Sequence, residues 1–480
     1  MKPSNKRFRW ILIAVVLCAI GAGGAGWWWR SYRPKAIATA ALPPRPDLAG
    51  MPSQLRDRIR EADDAVVAGR DSIESLAELS RLYHANGHLA EARQCYEGLE
   101  KLDPREGRWY YRHAMIVAGF GEMDSAVALL RKATEIDPSY LPARLRLGDI
   151  LLKDNKVDEA IAVFDGAQSR DPGEPYSLLG LARCDMDRAL WQAAREKLER
   201  VVQATNYALG YDLIVPVYER LGLQDRAAEI RGRMKAWGAF RDMADPWMEE
   251  LNADSYDAFQ LSVVAGAMKV RGDRNAARTL LERSVSLAPN NAALHFQYAM
   301  LLVDLSELPK AKTELERCTV LDPTFADGWA YLSGVISTMG DNVGAQRVFA
   351  EGLARCPNSP GLHRMQANQL RAMGRIDEAV REYRESIRLR PTEAEPYIEL
   401  GMTLMSAGRT ADGLKEFENA LVAEPENPMV LTTLAFNAIQ THDETAARQW
   451  LDRARKQPRV LPDDIQRLVG AFRQTFGREP

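Results

Sequence analysis

The chain has 480 residues, with 63 basic and 66 acidic side chains and a formal net charge of -3, a balance that gives no global pull towards nucleic acid or another polyanion. Hydrophobic content of 46% with 8% aromatic residues is that of a folded protein, and 27% charged residues suit one with much exposed surface. Five cysteines stand at 18, 95, 184, 318 and 356, no two closer than 38 residues, which excludes paired zinc or redox spacing.

Residues 1–9 form a short basic tail, and residues 10–29, from Trp10 to Trp29, contain no charge. About twenty apolar residues cover a hydrocarbon core of roughly 30 Å, and Trp10 with Trp27, Trp28 and Trp29 supplies interfacial anchors, so a transmembrane helix is expected. Lys2, Lys6, Arg7, Arg9 and the amino terminus precede it, against Arg30, Arg33 and Lys35 after it. This bias favours a cytoplasmic N-terminus and an external C-terminal region. A cleavable signal peptide is the competing reading, with Ile11 to Ile20 as its apolar region and the small residues 21–26 as its cleavage site. Residues 30–51 are rich in Pro and Ala without helical periodicity and read as a tether. Leu55, Ile59, Ala62, Ala65 and Val66 then resume a helical stripe, expected to form an N-terminal capping helix for the remainder of the chain.

From there the chain repeats. Prolines fall at 104, 138 and 172, and again at 289, 323, 357, 391 and 425, in steps of 34 residues. Twelve residues before each stands Ala92, Ala126, Ala160, Ala277, Ala311, Ala345, Ala379 or Gly413, and eight before each a large knob such as Tyr96, Phe164, Phe349, Tyr383 or Phe417. A small residue permits close approach of two helices and the large one fills the space beside it. Glycines at 87, 121, 272, 340, 374 and 408 mark the turns within the helical pairs. The segment 360–393 shows the unit most fully: His363, Gln366, Ala367 and Leu370 line one predicted helix, and Ile376, Ala379, Val380, Tyr383 and Ile387 the next.

This period and these positions resemble the tetratricopeptide repeat family, over about residues 73–461. Trp329, Leu332, Ser333, Ala345, Phe349 and Pro357, and Tyr397, Leu400, Gly401, Gly408, Phe417 and Pro425, carry the family pattern. The expected fold is all-α, a superhelical solenoid of about eleven helix-turn-helix repeats in two subarrays. Repeats begin near 73, 107, 141, 175, 209, 258, 292, 326, 360, 394 and 428. The period fails after Pro172: Asn206 and Phe240 stand where prolines are due, although Ala194 and Ala228 keep the small position. Pro216 weakens the fifth repeat further. The expected organisation is a first subarray with its cap over 52–242, an inserted joint over 243–257, a second subarray over 258–461 and a C-terminal cap over 462–480. Ile465, Leu468, Val469 and Phe472 form the apolar stripe of that last helix. Trp237, Phe240 and Trp247 cluster at the joint, either as a partner pocket between subarrays or, more plainly, as rings filling the gap of a broken repeat.

No phosphate-binding Gly-rich loop, GxSxG, HExxH or paired CxxC occurs, so catalysis has no visible seat and no cofactor or metal is implied. His113, His295 and His363 fall at packing positions of first helices. The resemblance implies a concave groove lined by the second, fifth, ninth and twelfth positions of each repeat. These positions provide an N-terminal apolar strip of Tyr111, Met115, Leu145, Leu152, Tyr176, Leu179 and Met186, and a C-terminal strip of Ile398, Met402, Met405, Met429, Phe436 and Ile439. Methionine-rich apolar strips suit adaptable capture of peptides or helices. The family's carboxylate clamp has its nearest match at Arg364 and Asn368 but fails at Glu399, Met429 and Thr433. The expectation is therefore a noncatalytic, membrane-anchored scaffold for protein or peptide partners, in a bacterial inner membrane with its repeats in the periplasm. The alternatives are a noncatalytic subunit of a secretion or cytochrome-maturation complex, repeats facing the cytoplasm as an assembly factor, or secretion after signal cleavage.

Overall fold

A computed structural model describes residues 32–205, 207–236, 243–457 and 460–480. The expected membrane span at 10–29, and Trp237 and Phe240, lie outside them. Among the described residues regular structure is helical, and none of their helices is long and apolar enough to cross a membrane. The chain divides into two compact units: residues up to Leu221 with Phe240–Leu261, and Gly222–Ala239 with Ser262–Pro480.

In the first unit, consecutive pairs of 13- or 14-residue helices run from Ser72–Ala85 and Leu89–Leu102 to Pro175–Asp187 and Trp191–Ala204. Helices this short are marginal alone, and each buries one stripe on its neighbours. The small positions Ala92, Ala126, Ala160 and Ala194 are all buried. The Phe164 knob is pressed between two helices: a Cβ on Gly148 or Gly180 would come within 2.5 and 2.4 Å of its ring. At the N-terminal end, helix Ser53–Ala68 buries Leu55, Ile59, Ala62 and Val66.

The expected tether is not one over its described part. Residues 32–40 form a helix, and Ala38, Ala41 and Leu48 are buried in the core that includes Leu76, Tyr96 and Leu99. Alanine is small enough to let this helix lie against Gly98, where an added Cβ would meet that of Ala41 at 2.3 Å.

The fifth pair departs from the sequence expectation by one residue. Its first helix is Ala208–Arg220, with Pro216 inside it, its turn glycine is Gly222, and Ala227, not Ala228, is the fully buried small residue. One residue fewer before the helix shifts the whole pair. Residues 243–261 are also no joint standing apart: they pack with the first unit, and the helix Gln224–Ala236 belongs with the second.

The helix Ala258–Arg271 runs from the first unit into the second, whose later first helices begin at Ala292, Ala326, Pro360, Ala394 and Pro428, and the helix Pro462–Phe476 closes the array by burying Leu468 and Phe472. A staple recurs at the fourth position of four successive pairs. His295, Trp329, His363 and Tyr397 each donate to the carbonyl of the proline six residues earlier, at 3.0, 2.9, 2.9 and 3.3 Å. Three chemically different side chains thus perform the same join between one pair and the next. The other ring nitrogen of His295 meets Glu314 at 2.6 Å, and that of His363 meets Glu382 at 2.7 Å. The turns share one geometry too: Gly272, Gly340, Gly374 and Gly408 have positive φ, and Ser306 and His442 adopt the same left-handed conformation at the corresponding points.

Candidate protein-interaction surfaces

The first-helix face of the first unit is already occupied, by residues 245–256 of the same chain. Asp245 caps a single helical turn, Pro246–Glu249, which runs into the short 3-10 helix Glu250–Asp254. Asp245 is only 6% exposed, and its carboxylate accepts hydrogen bonds from the Tyr111 hydroxyl and, at 2.6 Å, from the Tyr140 hydroxyl. Burial, and then the Asp245 carboxylate, push the Tyr111 phenol well above its ordinary range, so it remains a donor.

Trp247 inserts next. Its ring stacks on Tyr140 with centroids 3.5 Å apart, and meets Tyr111 edge-on at 5.6 Å. The ring reaches a floor kept open by Gly107, where a Cβ would stand 3.2 Å from it. Arg112, 1% exposed, donates through Nε to the Trp247 carbonyl at 2.9 Å and forms an ion pair with Glu250 at 2.6 Å. Arg108 approaches the same Glu250 carboxylate at 3.4 Å.

Asp254 completes the contact. Arg58 and Arg81 hold its carboxylate at 3.0 and 3.1 Å. Burial alone would lower the Arg81 pKa, but pairing with Glu74 and Asp254 outweighs it and raises the value. Asn86 reads the backbone on both sides, donating to the Asp254 carbonyl at 2.9 Å and accepting from the Tyr256 amide at 2.8 Å. Neither the carbonyl nor the amide depends on side-chain identity, so Asn86 fixes direction while the arginines and tyrosines select residue type.

This arrangement revises the N-terminal strip. Tyr111 is buried and engaged by Asp245, Leu145, Tyr176 and Leu179 are buried, and Met115, Leu152 and Met186 are half-buried. Tyr176 donates instead to Asp149 at 3.1 Å, which also pairs with Arg183 at 2.6 Å. Neighbouring helices cover the buried members of the strip, and the inserted segment occupies the face beside Tyr111. Trp247 sits on the second and third helical pairs, far in sequence from the degenerate repeat that the expectation had it fill. The reading from sequence passed over Arg58, Arg81, Asn86, Arg108, Arg112 and Tyr140. The signal available was the pairing of basic groove positions, Arg81 and Arg108, with an acidic and aromatic insertion, DPWMEELNAD.

The C-terminal strip is more open. Met402, Met429 and Phe436 are 40%, 46% and 51% exposed on the first helices of two successive pairs, and Met405 is half-buried. Ile398 and Ile439 are buried in the cores beneath, because their positions face the adjoining helix. Between the first helices at Ala326 and Pro360 lies a cavity of about 430 Å³, bounded by Ala330, Tyr331, Gly334, Gly361, Arg364 and Met365. Gly334 faces open space. The clamp-like pair is compensated internally: Glu399 lies 3.8 Å from Arg364 and accepts from the Asn368 amide at 3.2 Å. A second carboxylate there would meet a cation already paired. Cys95, Cys184, Cys318 and Cys356 are buried free thiols, and burial raises each above its ordinary range. Among the described residues no cluster of His, Cys, Asp or Glu is placed to hold a metal ion.

Paired short helices on a 34-residue period define a helical-repeat scaffold of the kind that carries protein–protein contacts. Tetratricopeptide repeat profiles match residues 78–140, 118–177 and 364–428. A TPR repeat-containing protein of Pseudomonas aeruginosa is 31% identical over 74 residues, which cover 15% of this chain and 70% of that one. The chain belongs to the tetratricopeptide repeat family. DnaJ homolog subfamily C member 3 of Bos taurus is 32% identical over 102 residues, 21% of this chain, and the match spans only 20% of that relative's length. The crystal structure of yeast Tom70 aligns over 84% of this chain and 95% of its own, with 13% identity and a TM-score of 0.36.

Proposed function

We propose that the chain is a membrane-anchored scaffold that holds protein partners on its first-helix faces, with residues 10–29 as the anchor and the repeats on the periplasmic side of a bacterial inner membrane. The observation that carries the reading is the exposure of Met402, Met429 and Phe436 along successive first helices. Flexible thioethers beside an exposed ring make a surface that adapts to an apolar helix or peptide. Its role is to bring partners together in assembly of an envelope complex.

Two measurements test this. A phosphatase reporter fused after Pro480 should be active, and cytoplasmic fluorescence alone would reject the orientation. Proteins recovered on the wild-type chain should be lost from a Met402→Ser, Phe436→Ala variant of unchanged helicity. Unchanged recovery would remove this strip from the binding surface.

A further inference from the structure

The first-helix face of the first unit binds residues 245–256 in the manner of a receptor and its peptide. The insertion breaks the 34-residue period that sets the helical pairs, so the repeat pattern itself does not require it. One turn of α-helix and a short 3-10 helix are too short to be stable alone, so the segment takes its order from the face that holds it. The contacts use side chains and backbone groups that any chain of the same local sequence would present.

The chemistry of that sequence is specific. Asp245 fits between two phenols, Trp247 fits the Tyr140 ring and the space left by Gly107, Glu250 meets the buried Arg112, and Asp254 bridges Arg58 and Arg81. The required spacing is an Asp, an aromatic residue two positions on, and carboxylates five and nine positions on. Charge-assisted bonds to three arginines make the face selective for acidic segments.

We propose that this face is a receptor for acidic, aromatic protein segments of this spacing, and that residues 245–256 are its resident occupant, displaced when a partner protein presents the same chemistry. The inference concerns a different face from the Met402 and Phe436 strip and stands whether or not that strip binds. A tethered occupant competes at an effective concentration of about millimolar, so an outside segment enters only when it binds better or when the resident is weakened. The resident therefore sets a threshold for partner entry.

The test uses the full-length chain in detergent and a fluorescent synthetic peptide with the sequence of residues 243–257. A variant carrying Asp245→Ala, Trp247→Ala and Asp254→Ala should bind the peptide at least tenfold more tightly than the wild type, with unchanged helical circular dichroism. Adding Arg112→Ala should abolish that gain, and a scrambled peptide should not bind. Equal affinity in wild type and variant would overturn the proposal, as would equal binding of the scrambled peptide. Loss of helicity in the triple variant would overturn it too, because the segment would then be part of the fold. Dimerisation of the wild type that the triple variant lacks would assign the occupant to a second copy of this chain, against an outside partner.

Discussion

Tyr140 and Trp247 lie face to face, ring planes 9° apart, and the Trp247 amide donates to the Tyr140 hydroxyl at 2.9 Å across 107 residues of sequence. The same hydroxyl donates to Asp245, so one phenol orients both the N-cap and the second residue of the helical turn. An aromatic pair contributes about 0.5–1.5 kcal/mol beyond the area it buries. Trp247→Ala should therefore speed hydrogen exchange at the amides of residues 247 and 256 by about fivefold or more, since 1 kcal/mol is roughly a factor of five. Amides of the helix Gly107–Gly119 should keep their wild-type rates. Equal acceleration of both sets would mean that segment and helix open as one unit.

Phe164 has no room to move. Its ring is clasped by Gly148 of its own pair and Gly180 of the next, each too close for a Cβ. A methyl group at 180 must displace the ring or separate the helices, and overpacking of this kind costs about 1–3 kcal/mol. Urea unfolding of Gly180→Ala should show a loss in that range. Gly166→Ala is the control, since the nearest atom to its added Cβ is 3.7 Å away, at the end of the Arg144 side chain.

The repeat was legible because its rule is local and reused: a small residue where helices touch, a ring beside it, a turn residue with positive φ. Gly87, Gly121, Gly272, Gly340, Gly374 and Gly408 all adopt that conformation. The rule failed at Ala228 because one residue fewer before the helix moved burial to Ala227, and counting from Pro172 cannot detect a deletion between its marks. It failed at Ala38 and Ala41 because a helix packed through small side chains leaves no apolar period. The destination of residues 245–256 was hidden for a different reason. The break in period showed an insertion, but which face it covers is decided by Arg81, Arg112 and Tyr140, more than 100 residues away.

Ala189 occupies a left-handed turn, φ 56°, where most equivalent turns use glycine. An L-residue there costs about 1–2 kcal/mol, part of which glycine returns through the entropy of the unfolded chain. Ala189→Gly should raise stability by about 0.5 kcal/mol. Gly374→Ala, at φ 74°, should lower it by about 1 kcal/mol. Opposite signs for these two exchanges, read from urea midpoints, test the turn geometry directly.

His84 meets the Tyr96 hydroxyl through Nδ1 at 3.1 Å, and burial followed by the charge of Arg112 pushes it from its ordinary 6.5 down to about 3. Between those values the unfolded chain binds the proton and the folded chain does not. Its contribution is thus fully present above pH 6.5 and is lost as pH falls towards 3. The stability difference between wild type and His84→Gln should be constant from pH 7.5 to 8.5 and should shrink on acidification. Carboxylates titrating in the same window affect both proteins alike and cancel in the difference.

Asp254 holds Arg58 and Arg81 together, and its carboxylate is almost fully buried while the two guanidinium groups keep partial contact with water. Removing one member of a buried ion pair costs roughly 3–5 kcal/mol, and the partial exposure of the arginines reduces that to about 1–2 kcal/mol. Asp254→Ala should therefore destabilise the first unit by that amount. The Arg81→Ala change should cost much less once Asp254 is gone, although Arg81 also contacts Glu74 at 3.0 Å. A double-mutant cycle should give a coupling near 1 kcal/mol, weakening when salt is raised from about 0.05 to 0.5 M. Additive effects of the two substitutions would show that Asp254 is held by its backbone contact with Asn86 and not by charge.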